Sequence, residues 1–131
     1  MGLLSVIAAA AAAWVFGAAY FAVLAKPWTA ASGLSPDALE QPAAGTNPLP
    51  FVLSALAMLL VAGMMRHIFS TAGIAGFGSG AVAGLGIGLF FIAPWIMMNN
   101  AYARRPFRLT LIDGGYAVAG AAIIGGVLTL I

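Results

Sequence analysis

The side chains able to do chemistry are concentrated in one stretch, Trp95 to Tyr116, which holds Asn99, Asn100, Arg104, Arg105, Arg108, Asp113 and Tyr116. Asp113 is the only acid inside an apolar run. An ionised carboxylate facing hydrocarbon costs about 3 kcal/mol or more unless it is paired or wetted, so Asp113 is expected to face protein. Its expected partners are Arg104, Arg105 or Arg108 from its own loop, or Lys26 arriving at the same depth from the end of the first apolar run. Two chemistries fit such a carboxylate. One is structural: an ion pair, or an acid favoured by the dipole near a helix N-terminus. The other is a proton or cation relay formed by Asp113 with Asn99, Asn100, Tyr116 and Tyr20.

The remaining candidates are isolated. His67 is the only histidine, and no second His, Cys or nearby acid completes a ligand set around it, so an interfacial polar residue is expected rather than a metal or pigment ligand. Asp37 and Glu40 lie three apart and read as a solvated helix face. Cysteine is absent, which removes thiolate chemistry and disulfides. There is no nucleophile with a base and no metal motif, and the glycines lie inside an apolar helix rather than in a phosphate-binding turn after a strand. The expectation is therefore no catalytic residue, no cofactor and no enzyme activity. The net charge of +2 is too small and scattered to suggest a nucleic-acid partner.

These residues are positioned by a chain that is 63% hydrophobic and 6% charged, with mean hydropathy +1.09, far short of the roughly one-quarter charged residues of soluble domains. The composition predicts an all-α polytopic membrane protein, a single domain of four transmembrane helices in a small bundle. The helices are expected over about 2–25, 51–69, 74–98 and 109–131, with a polar loop over 26–50. The first run reaches about 36 Å at 1.5 Å per residue. It lacks a basic n-region and exceeds a signal-peptide core, so it reads as a membrane span. Ser35, Pro36 and Asp37 look like an N-cap, an N1 proline and a first-turn acid, predicting a short helix over about 36–41. Trp28 and Lys26 suit the headgroup layer.

Small residues recur every four positions in three helices: Ser5, Ala9, Ala13 and Gly17; Gly76, Gly80, Gly84 and Gly88; Ala117, Ala121 and Gly125. The second set is a glycine zipper, with Gly78 and Gly86 beside it. Glycine disfavours a helix in water but lets helix backbones approach closely in lipid. The zipper fits packing inside the monomer or a face between copies. Pro94 removes a backbone donor and predicts a kink or loosened turn around Phe90 to Trp95. The connections Ser70 to Gly73 and Asn99 to Arg108 read as turns. Four spans put Lys26, Arg104, Arg105 and Arg108 on one side and Arg66 on the other, and the positive-inside rule places the first side in the cytoplasm and both termini outside. The three arginines serve as topology anchors, with lipid headgroup binding as a second role.

Two stretches, WVFGAAYFAVLAKPWTAASGLSPD and NNAYARRPFRLTLIDGGYAVAGAAIIG, resemble a family of small bacterial four-helix membrane proteins known as domain of unknown function 1761. The first carries Gly17, Tyr20, Lys26, Trp28, Gly33, Ser35 and Pro36 at the family's pattern; the second carries Asn99, Arg105, Asp113, Gly114 and Tyr116. Asp113 stands where that pattern has Asn. The resemblance implies the four-helix topology and no activity. Together these features lead to the expectation of a non-enzymatic structural or accessory subunit of the bacterial inner membrane, self-associating as a homo-oligomer or bound to a larger complex. The competing expectation is a small oligomeric channel or transporter using Asp113 and the nearby Asn and Tyr residues.

Overall fold

In lipid each segment must satisfy its own backbone hydrogen bonds, so apolar runs of spanning length become helices. A computed structural model of the chain describes residues 2–32 and 48–131; the expected short helix over 36–41, with Ser35, Pro36, Asp37 and Glu40, lies outside them. The described residues contain no strand. They form α1 (Leu3–Val23), α2 (Ala25–Ser32), α3 (Leu49–Ala72), α4 (Phe77–Ile87), a π-helical turn (Gly88–Ile92), α5 (Ala93–Tyr102) and α6 (Phe107–Leu130). The segment Phe77–Tyr102 is one span, giving four helices long and apolar enough to cross a membrane.

The boundaries follow backbone chemistry. Pro27 has no N–H for the Val23 carbonyl, so α1 stops at Val23, Leu24 breaks the helix, and α2 begins with the proline in its first turn, where it is tolerated. A helix thus occupies the start of what reads in sequence as loop. α3 begins earlier than hydropathy suggests because Pro50 also sits in a first turn. It ends at Gly73, whose φ of 75° lets the Ile74 N–H reach back to the Phe69 carbonyl at 2.9 Å. The turn is therefore Gly73 to Gly76 rather than Ser70 to Gly73. Pro94 cannot bond the Phe90 carbonyl, and just before it the Ala93 N–H bonds the Gly88 carbonyl five residues back. The loosened turn expected from Pro94 takes the form of this π turn.

α6 is the central helix, with a larger share of its apolar stretch buried than any of the other three spans. It packs most closely on α4 and next on α1, while α3 packs along α1 and only lightly on α6. Ser5, Ala9, Ala13 and Gly17 are all buried on α1, as are Ala117, Ala121 and Gly125 on α6. Gly80, Gly84 and Gly88 are buried against α6. A Cβ at Gly88 would stand 2.5 Å from the Ala117 carbonyl oxygen, and one at Gly80 would stand 2.6 Å from that of Gly125. Gly76 is the exposed residue before α4 and meets only Ser79. Gly78 and Gly86, two residues out of phase, point away from α6 into open space.

Four of the largest buried side chains, Phe69, Met65, Ile124 and Leu128, join Val6, Ala9, Ala10 and Ala13 in one cluster, flanked by Ile74, Ala83 and Ile87. This closes the half of the bundle that holds the Gly73 turn. Toward the other half α3 and α5 are separated by a crevice floored by α6. Leu60, Val82 and Phe90 are 69 to 76% exposed, an outer surface suited to hydrocarbon rather than water.

Candidate functional site

The polar stretch Trp95 to Tyr116 is mostly helix. α5 continues through Asn99, Asn100 and Tyr102, and only residues 103–106 form the turn, shorter than the Asn99 to Arg108 connection read from polarity. Arg104 adopts a left-handed φ of 58°. Its N–H bonds the Ala101 carbonyl at 3.1 Å, and the Arg105 N–H bonds that of Asn100 at 2.9 Å, the closing pair of a Schellman cap. Pro106 then leads into α6 from an extended conformation. Arg104 and Arg105 in this turn and Arg108 in the first turn of α6 are all exposed.

The two asparagines, adjacent in α5, point in directions about 100° apart. Asn99 is exposed, whereas Asn100 is 8% exposed and its Nδ2 donates to Thr110 Oγ1 at 3.2 Å, tying α5 to α6. Interhelical hydrogen bonds of this kind average about 0.6 kcal/mol in membrane proteins.

Asp113 faces protein and is half-buried, but its contact differs from the expected ones. Trp28 donates its indole N–H to Asp113 Oδ1 at 3.1 Å. Among the described residues no cation reaches Asp113 at salt-bridge distance; Arg105 acts on it only as a more distant positive charge. α2 explains the change of partner. Residues two apart on a helix differ by about 200° in direction, so turning Trp28 toward α6 leaves Lys26 exposed on the far side. The tryptophan expected in the headgroup layer fastens α2 to α6.

Two tyrosines interlock α1 and α6. Tyr20 donates to the Ile112 carbonyl at 2.7 Å, and Tyr116 donates to the Ala13 carbonyl at 3.3 Å. Each crosses the opposite helix at a glycine: a Cβ at Gly115 would lie 2.7 Å from the Tyr20 hydroxyl, and one at Gly17 would lie 2.8 Å from that of Tyr116. The ring centroids of Tyr20 and Phe21 lie 5.9 and 5.2 Å from that of Tyr116, and the Phe21 and Trp28 centroids are 6.5 Å apart, so Asp113 stands beside an aromatic cluster. The sequence signal for this clasp was a glycine within three residues of a tyrosine on both helices, which the reading by polarity passed over.

Asp113, Tyr116, Tyr20 and Trp28 are thus brought together, whereas Lys26, Asn99 and Asn100 are not part of the same contact. Both hydroxyls are engaged with backbone carbonyls, which makes the cluster a fastening and leaves one carboxylate oxygen, Asp113 Oδ2, without a hydrogen bond among the described residues. His67 is exposed on α3. No group of three His, Cys, Asp or Glu that could hold a metal occurs among the described residues.

A family model described as "Protein of unknown function (DUF1761)" matches residues 4–129, so it takes in all four spans and the cluster around Asp113. No curated protein and no solved structure matches the chain.

Proposed function

The chain belongs to the DUF1761 family, whose description assigns no activity, and on that premise we propose that it is a non-enzymatic membrane protein acting as a structural or accessory subunit through helix packing. The observation that carries this reading is the two-sided character of α4. Gly80, Gly84 and Gly88 receive α6, while Gly78 and Gly86 open outward on the opposite face with Val82 between them, and a Cβ at either outer glycine meets nothing within 4 Å. A lipid-facing glycine notch is the kind of surface on which a neighbouring helix packs closely. The neighbour is a second copy of this chain or a helix of a larger membrane complex.

Gly86→Leu fills the notch without touching α6. It is expected to abolish co-migration with the neighbour on native gels of mild-detergent extracts, while the unfolding midpoint stays within about 0.5 kcal/mol of the parent's. An unchanged native assembly would remove this reading. The transport alternative draws on Asp113, the asparagines and the tyrosines. Asn100 and both tyrosine hydroxyls are occupied in holding helices together, which favours the structural role.

The proposed location is the bacterial cytoplasmic membrane, with Lys26, Arg104, Arg105 and Arg108 inside and both termini outside. The absence of cysteine makes this easy to check. An impermeant maleimide added to intact spheroplasts is expected to label Ser70→Cys and to spare Ala103→Cys; the reverse pattern would invert the orientation.

A further inference from the structure

The crevice between α3 and α5 has a volume of about 340 Å³ and is walled by Met58 and Val61 on one side and Ile92 and Ile96 on the other. Its floor is α6, and Asp113 and Tyr116 stand at one end with Phe21. Asp113 also borders an adjoining hollow of about 340 Å³ formed with Phe21, Ala25, Trp28 and Thr29. Pockets of about 300 Å³ or more with apolar walls and one or two placed polar groups are the usual form of small-ligand sites.

We propose that this crevice binds an ammonium-headed amphiphile, its head at Asp113 and its tail along Met58, Val61 and Ile92 toward Ile124. Three features select the charge and chemistry of the head. Among the described residues, the only ionisable acid or base lining the crevice besides the Tyr116 phenol is the Asp113 carboxyl group. The Trp28 indole occupies Oδ1, leaving Oδ2 to accept from an N–H of the ligand. The rings of Phe21, Tyr116 and Trp28 gather beside the same carboxylate, and aromatic faces attract ammonium groups. An uncharged head would forgo both attractions, and an anionic head would meet a carboxylate in a poorly hydrated site. The chemistry is shared by the ethanolamine headgroup of a membrane phospholipid and by a free lipophilic amine. This inference goes beyond the subunit reading and does not depend on α4.

The probe is decylammonium, titrated calorimetrically at neutral pH into the full chain in uncharged maltoside micelles, with decanol as the chain-matched neutral control. The parent is expected to bind decylammonium saturably and more tightly than decanol. Asp113→Asn keeps an oxygen for the Trp28 bond and is expected to weaken decylammonium by about tenfold or more while leaving decanol unchanged. Val61→Phe narrows the end of the crevice away from Asp113, beside Ile124, and it is expected to weaken both ligands; it serves equally if Asp113→Asn does not fold. Mass spectrometry of the extracted parent identifies the source. A retained ethanolamine phospholipid that is lost in Asp113→Asn points to the headgroup, and a lipid-free parent that binds decylammonium points to a free amine. Equal binding of decylammonium and decanol by the parent, or variants that bind decylammonium as the parent does, would overturn the proposal.

Discussion

Gly84→Ala is expected to lower the unfolding midpoint of the protein in mixed-micelle denaturation, whereas Gly86→Ala, two residues along the same helix, leaves it unchanged or raises it. The added methyl group is identical, and in an isolated helix it would stabilise by up to about 1 kcal/mol at either site. At Gly84 the new Cβ overlaps the Ala121 carbonyl and crowds Ala122 Cα. These are backbone atoms of the central helix, so they cannot rotate away as a side chain would. Relief requires α4 and α6 to separate along Gly80, Gly84 and Gly88, and overpacking of this kind costs roughly 1–3 kcal/mol. At Gly86 the methyl group enters open space. Equal effects at the two sites would contradict the assignment of α4's inner and outer faces.

Phe69→Ala is the second large effect. Phe69 is fully buried, and it lies at the cap where α3 ends, with Ile74 packed against the same cluster. In a soluble protein such a truncation costs about 3–5 kcal/mol, part of it the transfer of the ring from water. Here the unfolded reference is still in lipid, which is as apolar as the core, so that transfer component largely vanishes. What remains is the cavity and the lost dispersion contacts, an expected loss of roughly 2–3 kcal/mol in the same denaturation assay. Phe90→Ala, at a position 72% exposed, removes the same ring from the lipid surface and is expected to change the midpoint by less than about 0.5 kcal/mol. A matching loss at both positions would mean that ring burial inside the protein is not what closes this half of the bundle.

The four spans were legible in the sequence because lipid leaves an apolar run of that length few alternatives to a helix. The small-residue stripes were legible for a related reason: a period of four places Ser5, Ala9, Ala13 and Gly17 on one line whatever they contact. What the period could not tell was the phase. Gly80 and Gly86 are the same residue in the same helix, and only the position of α6 makes one an inner contact and the other an outer notch. The ends of the helices were also misplaced where polarity was the guide. Asn99, Asn100 and Tyr102 are polar yet helical, since the cap that ends α5 is set by the left-handed Arg104. Trp28 shows the same limit. Pro27 ends α1 and starts α2, a backbone event that hydropathy does not register, and the new helix carries the indole to Asp113 while turning Lys26 outward. The contact of Asp113 with protein was predictable from the cost of exposing a carboxylate to lipid; the identity of its partner depended on a helix hidden in an apparent loop.

The outward glycine notch is the feature on which the proposed subunit role rests, and site-specific photo-crosslinking in native membranes tests it most directly. A photoreactive residue at Val82, between Gly78 and Gly86, is expected to give a discrete adduct with a protein, either a second copy or a distinct subunit. The same residue at Leu60 on α3, which is 76% exposed, is expected to label lipid. Adducts with lipid alone at Val82, matching those at Leu60, would contradict the proposed role.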